Sequence, residues 1–324
     1  MRRGARWLLA LAVASLAMPL PAMAEKIPLP AAAKEGIARM YGGDPDGAIV
    51  LFRTLEESQP EDPLGYLLEG EARWWKIYCA AYEVKWGMVD AWKKPKEARD
   101  NEYLALAEKA IRLAEKQLAA KETAKMHLYA GIGLALEARL HGLRDEHRAT
   151  AHAGVKAREH FLRALELDPD MADADAGLGL YNYYVDTLSG FVKVLRVFMG
   201  IPGGSKKEGI RQLERAMKEG ELAAVEARFY LAKNLRTYDH QYEQAITILE
   251  PLVESYPHNP IFLLLLGNVN AENGRAAKAA EYLRAAQSAT HAEGDCGTGA
   301  GSSACEPCAA RVKAVAQAML ATLP

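Results

Sequence analysis

Between Pro260 and Ala286 the small and apolar residues keep a strict spacing. Leu263, Leu266, Gly267, Ala279, Leu283 and Ala286 fall at positions 4, 7, 8, 20, 24 and 27 of a 34-residue helix-turn-helix unit. Small Gly267 and Ala279 mark where two antiparallel helices approach most closely, and Leu266 and Leu283 fill the space between them. One such pair leaves an apolar face uncovered, so the unit predicts stacked copies of itself. The signature of the second helix, small-x3-apolar-x2-apolar, occurs six times: Ala48/Phe52/Leu55, Ala107/Ile111/Ala114, Ala157/Phe161/Ala164, Gly209/Leu213/Ala216, Ala245/Leu249/Leu252 and Ala279/Leu283/Ala286. Successive starts lie 59, 50, 52, 36 and 34 residues apart, so the first three intervals carry 25, 16 and 18 residues beyond the period. The pattern predicts an all-α solenoid of about six helix-turn-helix units, with insertions in units 2–4 and a C-terminal capping helix. Its expected bounds are 25–292 for the solenoid, 293–304 for a Gly/Ser-rich flexible segment and 305–324 for the cap.

Individual units add candidate surfaces. The first helix of unit two, expected over Pro63 to about Trp86, carries Tyr66, Trp74, Trp75, Tyr78, Tyr82 and Trp86. Such a stripe is core in one reading. In the other, Trp74 and Trp75 at positions 12 and 13, with Tyr41 of unit one and Tyr183 and Tyr184 of unit four, line a concave groove for an extended peptide. Arg228, Arg236, Asn268 and Glu272 would continue that face as a polar stretch, while Asn234 and Asn270 are expected to serve hydrogen bonds between helices. Unit four is interrupted by the apolar segment 191–199, which either packs under neighbouring helices or faces a membrane or partner.

The first 24 residues read as a leader. Arg2, Arg3 and Arg6 precede an apolar run from Trp7 to Ala17, and Ala22-Met23-Ala24 has the form of a cleavage site, so a mature chain begins at Glu25 in a periplasmic compartment. An uncleaved membrane anchor is the alternative. Removing the leader takes away three of the 40 basic residues and none of the 42 acidic ones, leaving a net charge of −5, which speaks against nucleic acid as a partner. In an oxidising compartment Cys296 is expected to pair with Cys305 or Cys308 across a short loop, leaving Cys79 as a buried free thiol.

Other chemistry is less specific. His147 and His152 are five apart in an expected loop, which does not place two metal ligands on one helical face. Gly203-Gly204-Ser205-Lys206 lacks the spacing of a phosphate loop, and Ser205 with Glu208 forms a capping box instead. The acidic run Asp168, Asp170, Asp173 and Asp175 reads as a helix start. No catalytic, metal or cofactor constellation stands out, so the expectation is a protein without enzymatic activity. A redox-active pair in Cys305-Glu306-Pro307-Cys308 is the one enzymatic alternative.

The six units together resemble exported bacterial tetratricopeptide-repeat proteins, and 172–232 also resembles the tetratricopeptide repeat protein 39 family. The first resemblance implies a scaffold that binds other proteins. The expected function is a periplasmic adaptor holding a partner segment on its concave surface. The alternative is a lipid- or ligand-binding component of cell-envelope assembly that uses 191–199 in peripheral membrane contact.

Overall fold

The computed structural model describes residues 29–85, 88–188, 193, 196–197, 200–289 and 306–324. The leader, the segment 293–304, Cys296, Cys305 and most of 191–199 lie outside the described residues. Six helix pairs follow one another: α1 (Ala31–Gly42) with α2 (Pro45–Ser58), α3 (Leu64–Ala81) with α4 (Arg99–Ala120), and α5 (Ala124–Leu143) with α6 (His147–Leu167). The remaining three are α7 (Ala172–Thr187) with α8 (Lys206–Glu219), α9 (Ala224–Tyr238) with α10 (Tyr242–Ser255), and α11 (Pro260–Glu272) with α12 (Ala276–Ser288). A last helix, α13 (Glu306–Leu320), packs on α12 and α3.

Every member of the six signature triplets is buried, which fixes the register of the second helices. The close approaches have the expected cause. A Cβ on Gly36 would lie 2.3 Å from the Phe52 ring, and one on Gly267 would lie 2.9 Å from Leu283. Local chemistry starts and stops the helices. Asp44 accepts from the Gly47 N–H with Pro45 at the first helical position, and Asn259 accepts from the Ile261 and Phe262 N–H groups with Pro260 in the same role. Gly43, at φ 98°, ends α1 in the left-handed region.

Two expectations about the insertions are corrected. The first helix of unit two does not run to Trp86: α3 ends at Ala81, and a two-stranded antiparallel hairpin follows, β1 (Glu83–Lys85) on β2 (Met88–Asp90), with Glu83 opposite Asp90. Val84 stands opposite Val89 in its register. His147 and His152 are not in a loop either. They open α6, because the extra residues of units two and three lengthen α4, α5 and α6 to 22, 20 and 21 residues.

The solenoid curves until its ends meet. Asn259, at the start of α11, donates its side-chain N–H to the Tyr41 carbonyl at the end of α1, 218 residues away in sequence, at 2.9 Å. Trp75 on α3 stands edge-on to Phe229 on α9 and Phe262 on α11, with ring centroids 5.1 and 5.7 Å apart, and Tyr41 stacks on Phe262 at 6.3 Å. Units one and two thus close against units five and six, and the concave side becomes a second core.

Cys79 and Cys308 are joined by a disulfide, with Cα atoms 5.2 Å apart. This corrects the reading of Cys79 as a free thiol and of Cys308 as the partner of Cys296 or Cys305. Sequence proximity had favoured the short loop. The folding back of α13 puts Val312, Val315, Ala316 and Met319 into the core and carries Cys308 onto α3. The resulting tie spans 229 residues.

Candidate functional site

The residues expected to line an open groove are interior. Tyr41, Trp74, Trp75 and Tyr183 are buried, Tyr184 is half-buried, and Arg236 and Asn268 are buried at the far end. Arg236 reaches Glu272 at 3.5 Å, which ties α9 to α11, and Arg228 is half-buried with a guanidinium N–H directed at the Ile248 carbonyl at 3.4 Å. Of the polar stretch, Glu272 alone is exposed. The physical reason is ring closure: an aromatic stripe that would face solvent in an open superhelix here faces the first helices of units five and six.

That interior carries charge. Trp74 donates its indole N–H to the Tyr230 hydroxyl at 3.1 Å, and the Arg139 guanidinium lies 5.6 Å over the Trp74 ring. Arg139 on α5 pairs with Glu71 on α3 at 2.8 Å and with Glu226 on α9. Two carboxylates therefore share one guanidinium. Burial pushes the Glu226 carboxyl up to about 8; Arg139 opposes that shift and Glu71 adds to it. Beside this triad Lys233 pairs with Asp90 at 2.9 Å under the rings of Tyr78 and Tyr230, and the Tyr78 hydroxyl donates to Asp90 at 2.8 Å. Tyr184 donates to the Asn234 side-chain oxygen at 3.0 Å, the bond between helices expected of Asn234, whereas the Asn270 side chain donates to Leu266 within its own helix. The network joins first helices of different units and the hairpin. It is how a closed ring satisfies polar groups that an open one would hydrate.

The acidic run does more than start a helix. Asp173 and Asp175 are in the first turn of α7, and Asp173 accepts from the Leu222 and Ala223 N–H groups at 2.9 Å each, just ahead of α9 in the next unit. Asp175 pairs with Arg215 at 2.8 Å. The sequence showed the dipole argument but not the inter-unit cap, since the two partners are about 50 positions apart.

A recess open to solvent lies outside the ring, between α4, α5 and α6, with a volume of about 580 Å³. Ile111 and Leu134 form its floor. Glu108, Arg112 and Glu115 come from α4, His127 and Glu137 from α5, and Lys156, Glu159, His160 and Arg163 from α6. At one end His127 and His160 face each other with Nδ1 atoms 3.0 Å apart, and His127 Nε2 lies 3.1 Å from Glu122. If Nε2–H is given to Glu122, the His127 Nδ1 accepts from His160, a tautomer assigned from the network. Burial, with His127 second, pushes the His160 imidazole down, and Arg163 with His127 holds Glu122 down at about 2. His127 and His160, 33 residues apart, meet because α5 and α6 are long enough to align them. Among the described residues no group of three or more potential ligands could hold a metal ion.

The remaining expectations are placed as follows. Within 191–199 the described side chains are Lys193, which pairs with Asp186 at 3.1 Å, Arg196, which donates to the Ile201 carbonyl at 2.9 Å, and exposed Val197. Among the described residues no helix is long and apolar enough to cross a membrane. The Cys305/Cys308 pair required for a redox motif is not what the structure holds at Cys308, whose sulfur is bonded to Cys79.

No curated protein matches the chain. Among solved structures it is similar to the C-terminal part of a tetratricopeptide-repeat protein from Cytophaga hutchinsonii, at 15% identity over 79% of this chain and 78% of that one, with a TM-score of 0.36. It is also similar to the human IFIT1 dimer with m7Gppp-AAAA, at 15% identity over 89% of this chain and 64% of that one, with a TM-score of 0.32. A tetratricopeptide-repeat model matches residues 234–293, the two regular units, so the repeat reading stands, and with it the general role of such repeats as scaffolds for protein contact. A second model, regulator of microtubule dynamics protein 1-3, matches residues 73–260, which contain the stretch that resembled the tetratricopeptide repeat protein 39 family. That match takes in Arg139 and Glu226 of the interior triad and the outer groove and covers more than half of the 324 residues, and the chain belongs to the family of regulator of microtubule dynamics protein 1-3.

Proposed function

We propose that the protein is an exported, non-enzymatic periplasmic scaffold that holds a segment of one partner protein in the groove between α4, α5 and α6, outside the ring. The observation that carries this is the exchange of roles between two surfaces: the aromatic face is filled by the chain itself, while the outer groove stays open with an apolar floor and charged walls. Export is supported by the leader pattern and by the Cys79–Cys308 disulfide, a bond that persists in oxidising compartments. Scaffolding rather than catalysis is supported by what the buried charges do: Arg139, Glu71, Glu226, Lys233 and Asp90 satisfy one another between helices.

The test is photo-crosslinking in intact cells from position Lys156, in the groove, and from position Trp74, in the interior. Capture of one discrete protein from 156 and none from 74 is the expected result. Capture from 74 with none from 156 would return the partner to the concave face and overturn the reading.

A further inference from the structure

The groove between α4, α5 and α6 has a charge imbalance that the fold leaves uncompensated. Four carboxylates and three cations line it. Arg163 is already held by Glu122 at 2.7 Å and Glu166 at 2.9 Å, and Arg112 lies 3.7 Å from Glu108. Lys156 is then left to face Glu115, Glu137 and Glu159, an excess of two negative charges. Glu137 is half-buried near the floor and makes no hydrogen bond or ion pair among the described residues. Burial, and after it the neighbouring Glu108 charge, push its carboxyl up. His141 and Lys156 pull it the other way, but Lys156 is shared with Glu115 and Glu159, so carboxylates outnumber the cations that face them.

We propose that the groove receives a basic segment of the partner protein, with a lysine or arginine head set among Glu115, Glu137 and Glu159 and an apolar neighbour on the Ile111–Leu134 floor. The inference rests on the reading of the groove as the partner site. Charge complementarity favours a cation over an acidic segment, and the apolar floor favours a peptide over a bare ion. A volume of about 580 Å³ has room for a few residues in extended form. A cation brought in gives Glu137 a close partner in addition to the shared Lys156, and the partial burial of Glu137 makes that pair worth more than one on an open surface.

The experiment is fluorescence anisotropy of the mature chain, residues 25–324, with a labelled ten-residue peptide of interspersed lysine and leucine, against the same peptide with glutamate in place of lysine. The basic peptide binds, and Glu115→Gln with Glu137→Gln weakens it about tenfold or more, the loss of about 1.4 kcal/mol. Glu254→Gln with Glu281→Gln makes the same change in net charge at exposed positions far along the chain and leaves binding as it was. Equal losses in both double variants would mean diffuse attraction to an acidic protein and would overturn the proposal, as would tighter binding of the acidic peptide. Crosslinking from 156 with failure of the peptide would retain the groove and reject its chemistry; failure of both would reject the groove itself.

Discussion

Glu226 concentrates the electrostatic cost of closing the ring. Its carboxyl shares Arg139 with Glu71, and its folded-state pKa stands at about 8 against an ordinary 4.5. The folded chain therefore binds a proton that the unfolded chain releases. The stabilisation from that proton is complete below about pH 4.5 and is lost as pH rises through 8. Glu226→Gln keeps the neutral form at every pH. Urea unfolding between pH 5 and 9 should show the native protein losing on the order of 2–4 kcal/mol that the variant keeps. Parallel pH dependences in the two proteins would show that the proton resides elsewhere. Nothing in the sequence marks Glu226, because its partners lie 87 and 155 positions away and only ring closure collects them.

At the scale of elements, the six signature triplets placed all six second helices, since small residues at a helix crossing and apolar residues beside them admit one register. The first helices were legible in position but not in environment. Trp74 and Trp75 were correctly put within such a helix, yet whether they meet water or Phe229 depends on the curvature of the whole stack. The hairpin was missed because three-residue strands leave too little alternation to read. The expectations for Cys308 and Cys79 failed for a related reason: loop length ranks the candidates in an unfolded chain, whereas the apolar face of α13 decides that these two sulfurs meet. Tryptic mapping without reduction should yield a linked peptide containing Cys79 and Cys308; a link from Cys308 to Cys296 or Cys305 would contradict the structure. Cys79→Ser should lower stability by about 3–5 kcal/mol, because the bond closes a long stretch of chain and leaves α13 with packing alone.

For the molecule as a whole, closure turns a repeat array into a single body whose inner face is core. In an open array the units contribute separately and the concave surface is free to bind. Here Asn259 bridges to Tyr41, Trp75 meets Phe229 and Phe262, Arg139 joins three units, and the disulfide fixes the cap to unit two. The partner contact proposed above is on the outside, where the groove of α4, α5 and α6 was invisible in the sequence because its residues come from three helices in two units. The direct test is acrylamide quenching of residues 25–324 carrying Trp86→Phe and Trp92→Phe, which leaves Trp74 and Trp75 as the emitters. Quenching many times weaker than that of free N-acetyl-tryptophanamide, in the folded oxidised protein, is the predicted result. Quenching comparable to the free compound, with helical content intact, would mean that the ring is open and the aromatic face is a groove.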